Sequence, residues 1–315
     1  MGIQAPAEVK YRLIQETITR DNNLLCISTL CRIAGVSRSG YYNWAGNADT
    51  RQQQEDLDKA DFDKILEAYR FRGYAKGARS IHMRLLHTGI RMNVKKIRRL
   101  MKKYGLVCPI RRPNPYRRMA REMQTNHVAP NRVNREFRQH GARKILLTDI
   151  TYLFHRSGKC YLSVVMDAYT KEVLAWQVNE SLAVGFVLET VERLCQIHGA
   201  SLDNEVIVHS DQGCHYTSNA FIEKLRDASF VQSMSAKGCC WDNAPQESFF
   251  GHMKDEINAE VSKCRSYREV CGLVEDWMDY YNRDRYQWDL LKLSPAEYFK
   301  YLQTGVYPLP KWSKT

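Results

Sequence analysis

Between Lys144 and Ser181 three strand-like runs follow one another, KILLTDITYL, KCYLSVVMDAYT and EVLAWQVNES, parted only by HRSG and TK. Connections this short bring successive strands together antiparallel. Downstream the period changes. AVGFVLETVERLCQIHG has amphipathic helical spacing, EVIVHSD is a short buried strand, NAFIEKLRDAS a helix, FVQSMSA a fifth strand and APQESFFGHMKDEI another helix. Three antiparallel strands followed by alternating helix and strand predict an α/β fold with a mixed five-stranded sheet and flanking helices.

The chain before Lys144 reads differently. LLCISTLCRIAGVSRSGYYNW, residues 24–44, predicts a helix-turn-helix with Gly35 in the turn and Ser37 capping a second helix that presents Arg38, Tyr41 and Tyr42. Residues 56–106 predict three more helical segments. In the last of them Gly89 breaks one helix and Asn93 caps the next. Val94, Ile97, Leu100 and Met101 form its buried stripe, and Lys95, Lys96, Arg98, Arg99, Lys102 and Lys103 cover the other faces. From Lys95 to Arg121 there are eleven basic residues and no acidic one. Like charges on one helix repel, and a phosphate backbone relieves that repulsion. Residues 109–138, with Arg111, Arg112, Arg117 and Arg118, read as a basic linker that orders on nucleic acid.

Charge separates the two halves. Residues 1–145 hold 30 Lys and Arg against 12 Asp and Glu; residues 146–315 hold 17 against 23. Polyanion binding is expected in front and chemistry behind. The expected domains are 1–48 and 49–108, both helix-turn-helix; the linker 109–138; a catalytic part 139–303; and a tail 304–315. No run of 18 apolar residues and no signal sequence is present, and none of the ten cysteines stands in C-x-x-C. These features predict free thiols, a cytoplasmic location and no membrane contact.

Three acids stand out by placement. Asp149 interrupts the first strand, Asp211 ends the fourth, and Glu247 opens the helix after the fifth, where Asn243 would cap, Pro245 suits the first turn and Gln246 completes a capping-box-like pattern. First and fourth strands can be neighbours in such a sheet. Three carboxylates at one sheet edge need a cation between them. Mg²⁺ suits oxygen ligands, and two ions about 3.5–4 Å apart would serve an in-line displacement at phosphorus. Asp149 would bridge both, with Asp211 and Glu247 each completing one. Lys254, two helical turns beyond Glu247, could meet DNA phosphate.

KILLTDITYL, YLSVVMDAYT, VHSDQGCHYTS, KGCCWDNAPQESFFGHMKDE and YYNRDRYQWDLLKLSPAEY, in this order, resemble the second-frame product of insertion sequences of the IS-three family. GVSRSGYYNW, ARSIHMRL and KKIRRLMKKYGL resemble the helix-turn-helix region before that family's core. Between Asp211 and Glu247 lie 35 residues, the family's D,D(35)E spacing, and the Lys seven after the Glu is present. The resemblance implies a ribonuclease-H-like core of retroviral-integrase type, with Asp149, Asp211 and Glu247 as metal-binding catalytic acids. It implies strand cleavage and transfer at element ends with Mg²⁺, or Mn²⁺ in its place, and no covalent protein–DNA intermediate. Double-stranded DNA, both terminal inverted repeats and target, is the implied partner. Two ends held together imply a homodimer or larger. The family's enzyme is typically fused to an upstream-frame protein with a leucine zipper; no sustained heptads occur here. Leu147, Gln212 and His215 stand where the family has Trp, Arg and Gln.

Other readings compete. An accessory form with an inert core, or a structure-selective nuclease, would share the same strings. His209, Cys214, His215, Cys239 and Cys240 lack zinc-site spacing. His82 and His87 do not share a helical face. Asp167 is either an auxiliary acid or a turn cap. Trp241 either stacks on DNA or packs under a helix. Trp277, Tyr280 and Tyr281 are expected in the core, and Arg283 and Arg285 either bind phosphate or lie exposed.

Overall fold

The computed structural model describes residues 5–20, 22–109, 129–133, 137, 139–202, 205–235 and 243–310. They form two compact units, Met1–Lys64 and Ile65–Thr315. The linker arginines Arg111, Arg112, Arg117 and Arg118, and Cys239, Cys240 and Trp241, lie outside the described residues.

In the first unit α1 (Ala7–Ile18), α2 (Ile27–Ala34) and α3 (Arg38–Gly46) close on Ile14, Leu30, Cys31 and Tyr41. Gly35 ends α2 at φ +64°, a conformation open to glycine, and Val36 N–H bonds back to Cys31 O. The Ser37 side chain caps α3, accepting from Gly40 N–H at 3.1 Å. One expectation fails here. Tyr41 does not face outward: it is 3% exposed, and its hydroxyl donates to Gln15 Oε1 at 2.7 Å. An aromatic ring is the largest apolar surface this small core can recruit, and burial takes it. Arg38 and Tyr42 remain exposed.

α4 (Ala48–Arg70) leads into the second unit. There α5 (Ala78–His87) and α6 (Val94–Lys103) flank a turn with Gly89 at φ +77°, and Asn93 Oδ1 caps α6 by accepting from Lys95 N–H. Ile97, Leu100 and Met101 are buried; Lys95, Arg98, Arg99, Lys102 and Lys103 are exposed and Lys96 is half-buried.

The sheet comprises β1 (Ile145–His155), β2 (Gly158–Asp167), β3 (Val173–Asn179), β4 (Ile207–Ser210) and β5 (Val231–Met234), ordered β3-β2-β1-β4-β5. β1, β2 and β3 pair antiparallel; β4 and β5 join parallel to β1. α7 (Val184–His198) and α8 (Asn219–Asp227) cover one face through Leu146, Val165, Phe186, Val191 and Phe221. α9 (Ala244–Val261) and α10 (Tyr267–Arg283) cover the other, where Leu147, Val164, Phe249, Met253 and Trp277 pack. β1 is therefore buried on both faces, which is why its run is almost continuously apolar. α11 (Pro295–Thr304) follows, opened by a full capping box between Ser294 and Glu297. Among the described residues no helix is long and apolar enough to cross a membrane, and the described cysteines are free thiols.

Candidate active site

The parallel ladder of β1 and β4 pairs Ile145 with Ile207 and Leu147 with His209. Continued by two residues, that register sets Asp211 beside Asp149 on the same side of the sheet. β1 runs on past the ladder, whereas β4 ends at Ser210. Asp211 thus opens a turn: its Oδ1 accepts from Gly213 N–H at 2.8 Å. A Cβ on Gly213 would lie 2.9 Å from that same Oδ1, so a side chain there would displace the carboxylate. Asp149 Oδ1 accepts from Ile150 N–H at 2.7 Å.

Glu247 stands in the first turn of α9, exposed to solvent. Burial first, and then the charges of Asp211 and Glu247, together push the Asp149 carboxyl up to about 8, against the Ile150 N–H and the charge of Lys254. β1, the turn after β4 and the start of α9 therefore present their acids to one shared space, with Lys254 on the same side of α9. Among the described residues no three His, Cys, Asp or Glu side chains converge closely enough to enclose an ion by themselves. The donors are all carboxylate oxygens, a set that suits a hard divalent cation, and like charges facing each other across that space are the arrangement a cation relieves.

Beneath Asp211, a chain of hydrogen bonds links β4 to β5. Arg132 N–H donates to Ser233 Oγ at 2.9 Å, Ser233 Oγ meets His209 Nδ1 at 2.9 Å, His209 Nε2 meets Ser235 Oγ at 3.2 Å, and Ser235 Oγ donates to Ser210 O at 3.3 Å. With Ser235 donating to Ser210 O, a ring proton on Nε2 and an Nδ1 that accepts from Ser233 would satisfy every member of the chain. The alternate serines of FVQSMSA are the sequence signal for this clasp. Buried Tyr216 lies nearby, its hydroxyl 3.4 Å from Thr148 Oγ1; burial, then the charge of Asp149, hold its ionisation well above the ordinary value.

Two further expectations change, and two alternatives are resolved. The capping box at α9 does not form: Asn243 sits at φ −124°, ψ 22°, outside the extended region that side-chain capping requires, and makes no cap bond. Asn243 Oδ1 and both amide atoms of Gln246 are instead buried without partners. Arg285 neither lies exposed nor offers itself to phosphate. It is ion-paired with Glu256 at 2.9 Å. Arg283 is exposed and pairs with Asp279. Asp167 is a turn cap, accepting from Thr170 Oγ1 at 2.6 Å and from the Tyr169 and Arg143 N–H groups. Gln212 and His215 anchor the turn after β4, donating to Ser235 O and meeting Leu182 O at 2.7 Å. His82 and His87 meet Met92 O and Glu297. Trp277, Tyr280 and Tyr281 are core residues, as expected.

Family comparison matches residues 56–114 to an HTH-like domain, and residues 139–240 and 229–293 to integrase core domains. An uncharacterized transposase-like protein of Haemophilus influenzae is 31% identical over 216 residues, covering 68% of this chain and 95% of that protein. The insertion element IS600 uncharacterized 31 kDa protein of Shigella sonnei is 28% identical over 275 residues, covering 85% and 97%. Among solved structures, the catalytic core domain of BIV integrase is 16% identical with a TM-score of 0.41, over 52% of this chain and 98% of that one.

Proposed function

The chain belongs to the IS-three family of insertion-sequence transposases, and on that premise we propose that Asp149, Asp211 and Glu247 are the catalytic acids with which it cuts and joins DNA. It is a DDE-type polynucleotidyl transferase of DNA transposition. The observation that carries the assignment is the β1–β4 register that sets Asp211 beside Asp149 with Glu247 in the first turn of α9, supported by the raised Asp149 carboxyl. The three carboxylates would hold two divalent ions, Mg²⁺ with Mn²⁺ able to substitute, which supply Lewis-acid stabilisation of charge at phosphorus when bound.

The chain's own groups do the positioning. The Ile150 and Gly213 N–H groups fix one oxygen each of Asp149 and Asp211, and among the described residues the other oxygen of each is left to a ligand. The first turn of α9 directs Glu247 at the same space, and Lys254 would meet the DNA phosphate beside the reacting bond. A water oxygen bonds to phosphorus as the P–O3′ bond breaks and frees a 3′-hydroxyl. That hydroxyl then attacks a second phosphodiester, and one alkoxide leaves for each bond formed. In-line displacement of this kind needs no covalent bond to protein.

In this reading residues 1–48 and 49–108 bind terminal inverted repeats, with Arg38, Lys95, Lys96, Arg98, Arg99, Lys102 and Lys103 on phosphate. The arginines of 109–138 add to this grip, and residues 139–303 carry the chemistry. The protein acts in the bacterial cytoplasm as a homodimer or larger on two DNA ends, with an upstream-frame partner where one is made. Asp211→Asn tests the core of the proposal: cleavage and strand transfer in Mg²⁺ vanish while end binding persists. Cut and joined ends from that variant refute it.

A further inference from the structure

α5 has two unlike sides. Toward α10 and α11 its basic side chains are matched by acids: Arg84 lies 3.8 Å from Asp284, and His87 Nε2 meets Glu297 Oε2 at 3.1 Å. Toward the loop between α10 and α11 the cations are not matched. There Arg79 Cζ and Lys292 Nζ flank the Trp288 ring, 5.7 and 5.1 Å from its centroid, and among the described residues neither is ion-paired. The His82 ring is 6.0 Å from the same indole. Burial lowers the His82 pKa, its bond to Met92 O opposes this, and the charge of Lys292 adds to it, which sets Lys292 near His82 as well. Asp289, the one acid between Arg285 and Ser294, is paired with Lys171. The loop is firmly built. Gln287 N–H donates to Leu293 O at 2.9 Å and Lys292 N–H to Gln287 O at 3.0 Å. Leu290 and Leu293 are buried, the latter against Leu86 of α5. Leu291 and Lys292 both sit in the left-handed region, at φ +57° and +67°. Two consecutive non-glycine residues there are uncommon, and strain of this kind collects where function needs a fixed shape. Its product is a tip on which Trp288 and Leu291 are each 48% exposed.

The patch lies where both helices of the pair begin. His82 is in the first half of α5, yet its Nδ1 meets the carbonyl of Met92, two residues before α6, at 2.8 Å. Arg79 in the first turn of α5 and Lys95 in the first turn of α6 are both exposed. A helix-turn-helix lays its first helix across the DNA backbone and sends the start of its second into the groove. We propose that the Trp288 loop is a third element of this DNA interface, with the indole packed on a deoxyribose and Arg79 and Lys292 on the phosphates to either side. Two unmatched cations held at one ring favour a polyanion, and the indole offers sugar an apolar body and phosphate an N–H. An apolar protein partner would instead bury both charges without acids, at a large desolvation cost. Contacts of this type fix position and carry no sequence information. The loop leaves from α10, which packs on the sheet, so it would hold the duplex in register with the catalytic part. This inference rests on reading α5 and α6 as a DNA-binding pair and adds to it a contact from the acidic half of the chain.

The test titrates the full chain with a fluorescein-labelled duplex of roughly 30 base pairs, three helical turns, across a salt series. Arg79→Gln and Lys292→Asn each remove one charge, and asparagine tolerates the left-handed backbone. Each is expected to lower the slope of log affinity against log salt by about 0.9. Trp288→Leu is expected to keep the slope and weaken binding about fivefold at every salt concentration, as roughly 40 Å² less apolar surface is covered. Melting within about 2 °C of wild type shows that the buried anchor of the loop is intact in each variant. Unchanged slopes in both charge variants overturn the proposal, as does wild-type affinity in Trp288→Leu. So does sedimentation without DNA in which wild type self-associates through this tip and Trp288→Leu does not. The Ala variant of Lys95, Arg98 and Lys102 separates the loop from the reading beneath it. If that variant loses slope while the loop variants bind as wild type, only the loop falls. If it keeps the wild-type slope while the loop variants lose theirs, the reading of α6 falls and the loop contact stands.

Discussion

Arg285→Met probes how the third acid is held in place. Arg285 Nε and Nη2 both lie within 3.0 Å of Glu256 Oε1, and Trp277 Nε1–H donates to Glu256 Oε2 at 2.9 Å. Side-chain exposure is 18% for the arginine and 3% for the glutamate. Burial works against the Arg285 charge, but Glu256 outweighs it and raises the pKa. Removing one partner of a buried pair costs about 3–5 kcal/mol, because the other charge is left unpaired in a poor solvent. Lys76 also feels Glu256, so the low end, about 3 kcal/mol, applies here. For a unit the size of Ile65–Thr315, that amounts to a fall in melting temperature of about 6–12 °C. Glu256 and Glu247 share α9, so cleavage falls as well. Differential scanning fluorimetry in metal-free buffer provides the measurement. Adding Glu256→Gln to Arg285→Met removes the stranded charge and regains at least about 1 kcal/mol. A single variant melting within about 2 °C of wild type, or a double variant no better than the single, refutes the account.

Glu297→Gln keeps the capping-box acceptor as a neutral amide but removes its charge, weakening the contacts to the Ser294 N–H and to His87 by about 1 kcal/mol at neutral pH. Burial raises the Glu297 pKa, but the bonds from His87 and Ser294 outweigh it and the net shift is downward. The stabilisation is therefore present above the ordinary glutamate range and disappears as pH falls through the lowered value, so wild-type and variant melting curves converge in acid; a gap that widens in acid contradicts this. Replacing Lys95, Arg98 and Lys102 on α6 with Ala lowers the slope of log affinity against log salt by about 0.9 for each DNA phosphate no longer neutralised, and an unchanged slope rules α6 out as a phosphate-binding surface. Tyr41→Phe loses one hydrogen bond, about 1 kcal/mol of stability in the first unit, with DNA affinity unchanged; weaker binding at equal folding contradicts its burial.

The strands were legible in the sequence because period and turn length speak directly about backbone, and their order allowed β1 and β4 to be neighbours, as they are. Asp149 was conspicuous as a lone charge inside ILLT–ITYL. Other features depend on information the string does not hold. Tyr41 and Tyr42 are adjacent on a nine-residue helix too short for its faces to be read. The capping pattern at Asn243 has the right residues, but φ and ψ decide capping, and the chain arrives there in a different conformation. Arg285 looked like a surface cation because its partner is 29 residues away on another helix. The clasp on His209 needs β4 and β5 side by side before two serines and an imidazole acquire meaning.

The parallel entry of β4 beside β1 also orders events in time. Asp149 and Asp211 come together only after the intervening strands and α7 have been made and β4 has been inserted, and Glu247 emerges from the ribosome last. The helices proposed to bind DNA are complete long before that. If the proposed assignments hold, a growing polypeptide of this design would acquire its hold on DNA first and its blade last, so an interrupted translation product would occupy DNA without breaking it.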